Sequence, residues 1–350
     1  MIQRLPALDG LRAVAVLSVI GSHVITSLIP GSFGVTLFFF ISGFIITRLL
    51  LQDDAPLGAF YIRRFFRLYP ALVAYIAASV VSMHLAGETV RWDGAVAGLF
   101  FFTNYVPETT GYFTHLWSLA VEEHFYILFP LLVVFLRPDR LLAALIACVV
   151  LALGVRVYEV YAGYAHGFIQ GATHTRIDSI AYGCLLSVLF HRAQTSARVS
   201  RFLDALSTRP AMVFGVALLV LSFAIRSETF RQTLRYSVQG IAFALFFCAI
   251  FWGSIAPRLV VRVLESRVMT YIGAISYSLY LFHQGARMVA YRVGFEQFSP
   301  EHIAITLAIT VPLALLSFYA IEGPCRRYGA ALARRVVKGH ITAMPTPTRT

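Results

Sequence analysis

Leu11-Arg-Ala-Val-Ala-Val-Leu-Ser-Val-Ile-Gly-Ser-His23-Val-Ile-Thr-Ser-Leu-Ile29 reads as an apolar helix that carries two ionisable side chains. At 1.5 Å per residue it is long enough for a hydrocarbon core of about 30 Å, so it reads as a membrane span. Arg12 and His23 stand eleven residues apart. At about 100° per residue they fall within roughly 20° of one another, about 16 Å apart along the axis. An ionisable group inside a span is strongly disfavoured unless it has a partner or a task. Two accounts compete here: an interfacial Arg anchor with a His bonded inside a bundle, or a functional pair on one face.

Composition extends this reading to the whole chain. Of 350 residues, 58% are hydrophobic and 13% charged, with a mean hydropathy of +0.74. Soluble chains carry roughly a quarter charged residues. The fold class is therefore all-α, a polytopic membrane helical bundle. The net charge of +12 would suggest nucleic acid in a soluble protein. In a membrane protein it suggests Arg on inner loops, facing anionic lipid, and no nucleic-acid partner. Cys148, Cys184, Cys248 and Cys325 are scattered with no C-x-x-C spacing, so neither a disulfide framework nor a metal site is expected. The first apolar stretch is too long and too polar at Arg12 and His23 for a cleavable signal.

Ten spans are expected, at about 11–29, 34–51, 69–86, 116–136, 141–158, 176–191, 211–226, 235–253, 270–290 and 303–321. A shorter apolar piece, Ala95 to Tyr105, is expected to be re-entrant or interfacial. With both termini cytoplasmic, 21 of the 29 Lys and Arg residues fall on the inner side, a strong positive-inside bias. That bias holds only if 95–105 does not cross. The expected organisation is a membrane domain over 1–324 and a basic cytoplasmic tail over 325–350, in a multi-pass protein of the cell inner membrane.

Four further polar clusters stand out. In the first inner loop, Arg63, Arg64 and Arg67 alternate with aromatics up to Pro70. They read either as an interfacial helix reaching lipid phosphate or as a site for a phosphorylated cofactor, since Arg forks match phosphate oxygens. In the fourth span His115, Ser118, Glu122 and Tyr126 form one helical stripe, with Trp117 beside it. Glu123 points about 100° away from that stripe and needs a partner of its own. Ser276, Tyr280, His283 and Arg287 form a second stripe in the ninth span, where Ser and Tyr also serve as ordinary packing groups. Arg176 and Asp178 open the sixth span, where they could pair with each other or grip a sugar. Ser42-Gly43 in the second span reads first as a close helix contact.

In order along the chain, Arg12-x10-His23, Phe39-Phe40-Ile-Ser42-Gly43-Phe44, Arg63-Arg64-x2-Arg67-Leu-x-Pro70, His115-Leu-Trp117-Ser118-Leu-x-Val-Glu122-Glu123-x-Phe125-Tyr126, Arg176-x-Asp178, Ser276-Tyr277-Ser278-Leu-Tyr280-Leu-x-His283 and Glu322-x-Pro324 resemble the acyltransferase-3 family of integral membrane O-acyltransferases. The resemblance implies a donor substrate, acetyl-CoA or another acyl-CoA, met on the cytoplasmic side by Arg63, Arg64 and Arg67 with Tyr277 and Ser278. It implies an acceptor hydroxyl on a cell-surface or secreted glycan, or on a lipid-linked saccharide. His115, Trp117, Ser118, Tyr126, Arg176, Asp178, Tyr280 and His283 would line its site. Some members carry an added extracytoplasmic hydrolase-like domain; here the membrane domain is expected to transfer directly.

The catalytic set expected from these residues is His23, Glu122, Glu123 and Arg12. A hydroxyl attacking a thioester needs a base, and His titrates nearest neutral pH. His23 would take that proton while Glu122 or Glu123 holds the other ring nitrogen. A two-step route through an acyl-enzyme on His23, Tyr277 or Tyr280 stays open. So do three other readings: an acyltransferase with a small acceptor such as a macrolide, a proton-coupled transporter or flippase, and a structural scaffold. The last leaves both polar stripes without a purpose. Nothing in the sequence sets an oligomeric state.

Overall fold

The computed structural model describes residues 5–26, 28, 31–52, 56–106 and 111–343, with side chains as far as 338. Its described residues form helices joined by turns. They are α1 (Pro6–Ile20), α2 (Gly31–Gln52), α3 (Leu57–Leu85), α4 (Trp92–Leu99), α5 (Trp117–Phe135), α6 (Pro138–Tyr161), α7 (His166–Gly171), α8 (Thr173–Ala193), α9 (Ala197–Leu206), α10 (Arg209–Ala224), α11 (Glu228–Gln232), α12 (Leu234–Phe247), α13 (Arg258–Leu264), α14 (Arg267–Ala274), α15 (Ser276–Arg292), α16 (Pro300–Leu316) and α17 (Gly323–Ala343). Wide π turns continue α1 over Gly21–Ile25, α12 over Cys248–Trp252 and α16 over Ser317–Glu322.

This is a polytopic helical membrane bundle. Seven described helices are long and apolar enough to cross a bilayer, and α9 with α10, bent by 61°, make an eighth if taken together. The expected spans fall on helices, except that 270–290 divides between α14 and α15 at Ile275 and the end of 11–29 lies outside the described residues. The segment at 176–191 and most of that at 270–290 lie on α8 and α15, which length and apolarity alone do not single out. The reason is visible in their interiors: α8 buries Arg176, Asp178 and Ser179, and α15 buries Ser276, Ser278, His283 and Gln284. Hydropathy falls where a helix faces a polar interior instead of lipid. α4 has eight residues, too few to cross.

The core is built from α1, α2, α3, α5, α8 and α15, whose inward faces bring together Val16, Val19, Phe39, Leu72, Phe125, Ile180 and Leu281. α2 crosses α8 at close range. A Cβ added to Gly43 would overlap the Ile180 carbonyl, and one added to Gly183 would overlap that of Phe40. Only glycine lets these two backbones touch, as in small-residue crossings of membrane helices. α17 is a helix docked on α3: Gly329 fits against Phe66, whose ring meets Tyr328 at 5.1 Å. The basic segment after Pro324 therefore packs for much of its length.

Candidate active site

Two polar clusters face each other along the bundle interior, one rich in histidine and one in arginine and carboxylate.

His23 sits in the π turn that continues α1, a form of local widening that recurs at functional sites. Its Nδ1 lies 3.1 Å from His283 Nε2, with the two rings stacked at 5.3 Å and 2°. His283 Nδ1 is 2.5 Å from the Tyr280 carbonyl, which can only accept. That carbonyl fixes the tautomer: in a neutral His283, Nδ1 carries the proton and Nε2 the lone pair. His23 must then donate from Nδ1, which leaves its own Nε2 as a basic lone pair. Gly31 packs beside it: a Cβ there would overlap Ser22 Oγ and lie 3.4 Å from that nitrogen. His115 completes the group, edge-on to His283 at 5.4 Å and with Nε2 3.1 Å from the Leu281 carbonyl. The three imidazoles do not converge on one point, and among the described residues no His, Cys, Asp and Glu cluster forms a metal-ligand set.

At the other end, Arg64 on α3 holds both carboxylates of α5. Its Nε is 3.4 Å from Glu123 Oε1 and its Nη2 3.8 Å from Glu122 Oε2, while the guanidinium lies 3.4 Å over the Tyr126 ring. Ser42 donates to Glu122 Oε1 at 2.8 Å. Glu123 thus has its partner. Glu122 is not that of His23: the second nitrogen of the imidazole is taken by His283, a residue of another helix that spacing alone does not pair with it.

The two stripes meet between these clusters, where the Ser118 and Tyr280 hydroxyls are 2.5 Å apart and Tyr280 donates to the His115 carbonyl at 2.8 Å. Three cavities follow the same line. The outer one, about 440 Å³, is lined by His23, His115, Trp117, Tyr280 and Arg287 among others. A narrow central one of about 70 Å³ includes Arg12, Ser42, Arg64, Glu122, Tyr126 and Ser276. The inner one, about 580 Å³, holds Arg12, Arg48, Arg67, Tyr277, Glu322 and Arg326. Outer and central cavities share Val35 and Tyr280; central and inner share Arg12, Ile45, Arg67 and Tyr277. A side cavity lined by Arg63, Arg64 and Arg67 shares Ile46, Arg64 and Arg67 with the central one.

A family model described as an acyltransferase domain, acyltransferase-3, matches residues 5–321, which takes in every residue of this line of cavities except Glu322 and Arg326. The chain belongs to the acyltransferase-3 family. Among curated proteins it is similar to the O-acetyltransferase OatA of Staphylococcus aureus, 30% identical over 93% of this chain and 58% of that protein. It is also similar to a putative O-acetyltransferase of the COL strain, 29% identical over the same shares. The chain thus spans 58% of the length of these relatives. No solved structure matches.

Within this acyltransferase-family fold the sequence-derived residues divide. Arg12, His23, Arg67, His115, Trp117, Ser118, Glu122, Tyr126, Tyr277 and Tyr280 line the cavities. Arg63 reaches only the side cavity. Tyr277 spends its hydroxyl on the Leu68 carbonyl at 2.9 Å, and Ser278 is turned away onto Glu322 and Ser317. Arg64 is committed to the two glutamates, and Arg63, Arg64 and Arg67 together line the side cavity.

Arg176 and Asp178 do not pair with each other. Asp178 is fully buried against Arg156 Nη2 at 2.7 Å, in a pair that also involves the Thr175 carbonyl. Arg176 donates to Thr36 Oγ1 at 3.0 Å and to the Gln170 carbonyl at 3.1 Å, stacked 3.8 Å over Tyr236. Both side chains are wholly buried. They hold α2, α6, α7 and α8 in register behind the outer cavity, and neither lines it. Sequence reasoning missed Arg156 and Tyr236. The signal for Arg156 was available, a lone arginine near the end of an apolar span.

Proposed function

We propose that this protein is a membrane O-acyltransferase of the inner membrane that moves an acyl group, acetyl foremost, from cytoplasmic acyl-CoA to a hydroxyl of a cell-surface or secreted glycan. The observation that carries this reading is the hydrogen-bond chain Tyr280 carbonyl, His283, His23, which leaves His23 Nε2 basic at the wall of the outer cavity. The names of the staphylococcal relatives support an O-acetyl transfer.

In this reading the arginine-rich end faces the cytoplasm, as the positive-inside bias favours. Phosphates of the donor meet Arg67, Arg63 and Arg48, and its thioester arm runs through the central cavity towards Val35 and Tyr280. The acceptor hydroxyl gives its proton to His23 Nε2, and its oxygen attacks the thioester carbonyl. Ser276 and Tyr126 line the central cavity with hydroxyls that have no hydrogen-bond partner among the described residues, so they are available to polar groups of the donor arm there. Collapse breaks the C–S bond, and the thiolate recovers the proton from the His23 imidazolium. His283 positions the base, and Arg64 with Glu122 and Glu123 shapes the donor channel.

The test is a purified-protein assay in proteoliposomes with acetyl-labelled acetyl-CoA and a glycan extract, following thiol release and label transfer. The wild type is expected to release thiol and label a glycan, and His23→Ala to do neither while still binding the donor. Equal turnover in both proteins would remove His23 from the mechanism. A wild type that consumes neither acetyl-CoA nor longer acyl-CoAs would overturn the acyl-transfer reading itself.

A further inference from the structure

The outer cavity carries an unbalanced charge. Its wall includes Arg231, Arg235 and Arg287 and, among the described residues, no carboxylate. One acid stands close behind: Glu228 pairs with Arg231 at 3.3 Å and with His166 at 3.2 Å. Arg235 and Arg287 have no ion-pair partner among the described residues. Arg235 is the sharper anomaly. It is only 6% exposed, and its Nε has no hydrogen-bond partner. It also sits in the first turn of α12, where the helix dipole disfavours a cation. A buried guanidinium with unused donors in such a place is strongly disfavoured until an anion reaches it.

Neutral groups complete the wall. Gln170, Gln284 and Ser32 offer hydrogen bonds of the kind hydroxyls use, and Trp117 offers a flat face. His23 opens onto the same space.

We infer that the outer cavity selects acceptors bearing an anionic oxygen group, a carboxylate or a phosphate ester, held by Arg235 and Arg287 while a hydroxyl of the same molecule meets His23. This rests on the reading of that cavity as the acceptor side. The anion sets which molecules enter and where their hydroxyls fall; the base acts on whichever hydroxyl arrives. Forked N–H donors suit either oxygen group, so the two sources are separated by experiment.

The test is isothermal titration of the full chain in neutral detergent with three soluble probes: a methyl hexuronide, a hexose phosphate and the neutral methyl hexoside. The charged probes are expected to bind at millimolar concentration or below, about tenfold to a hundredfold tighter than the neutral one, with a preference that shrinks as salt is raised. Arg235→Gln and Arg287→Gln should each reduce that preference, and Arg235→Lys should restore part of it. Whichever charged probe binds tighter identifies the source, a sugar carboxylate or a carrier phosphate. Equal binding of all three probes, no binding of either charged probe, or a preference untouched by both Gln variants would overturn the inference. Because no acyl donor is present, these outcomes are independent of the thiol-release assay. Anion preference without thiol release would sink the acyltransferase reading and leave the anion site standing.

Discussion

The arginine–carboxylate cluster around Arg64 and the histidine cluster around His23 are both buried polar knots between the same two stripes, yet they are wired in opposite ways. At Arg64, positive and negative groups satisfy one another, with Ser42 and the Tyr126 ring adding to the closure. At His23 each bond passes the proton assignment along and ends on a nitrogen that, among the described residues, has nothing to hold. A charge group that closes on itself fixes helices in place. One that ends in an open lone pair is set up to react with something brought to it. The same contrast separates Arg156–Asp178, sealed and fully buried, from Arg235, buried with a donor unused.

The contrast breaks if the two kinds of cluster respond alike to substitution. The largest effect is expected at His23, where His23→Ala should lower the acyl-transfer rate about 10²- to 10⁴-fold, the range of a general base, without loss of folded protein. Next comes Asp178→Ala, which strands a buried guanidinium and should cost about 3–5 kcal/mol of stability. The double change Arg156→Met with Asp178→Leu should recover much of that in thermal unfolding; no recovery would mean that Asp178 acts on something other than Arg156. His283→Phe should lower kcat about tenfold or more with little change in KM, because His23 loses the acceptor that holds its Nδ1 proton in place. His283→Gln offers an amide oxygen to the same proton and should restore part of the rate. A His283→Phe enzyme with wild-type kcat would dissolve the tautomer argument.

The smallest effect is expected outside the membrane. The Arg91 guanidinium, followed by the Gly94 amide, holds the Asp93 carboxyl below its usual range. A depressed carboxyl stabilises the fold above its unfolded pKa, and this is lost as pH falls through the folded value. Asp93 is fully exposed, so acid titration to that point should leave the unfolding midpoint unchanged within error. A measurable drop traced to Arg91→Ala would show that exposed pairs matter here more than the buried clusters suggest.

Much of this was legible in the chain because membrane helices make polar residues conspicuous. Arg12 and His23, the stripe from His115 to Tyr126 and the stripe from Ser276 to Arg287 all stand out against an apolar ground, and periodicity gives their faces. The Ser42-Gly43 contact was legible for the same reason, small residues in a run of phenylalanines. Partnership was not. Nothing in spacing joins His23 to His283 across 260 residues, or directs Arg64 to Glu122 and Glu123 and away from phosphate. Arg176 and Asp178 looked like a pair because they are neighbours in sequence, but two residues along a helix is about 200° of turn, and each faces a different helix. Periodicity tells which way a side chain points; only the packed bundle tells what waits there.

The narrow meeting of the outer and central cavities at Val35 and Tyr280 has an electrical consequence. Water-filled wells on either side of a thin partition carry the potential of each bath inward, so most of the membrane voltage would fall across the partition. Moving one elementary charge through it would cost about 2.3 kcal/mol for every 100 mV. In the proposed reaction the acyl group passes one way and the acceptor's proton, relayed by His23 to the thiolate, passes the other, so the net charge on each side is unchanged. The phosphates never approach the partition. Acyl transfer across this protein should therefore draw almost no current, and its rate should be nearly flat with membrane voltage.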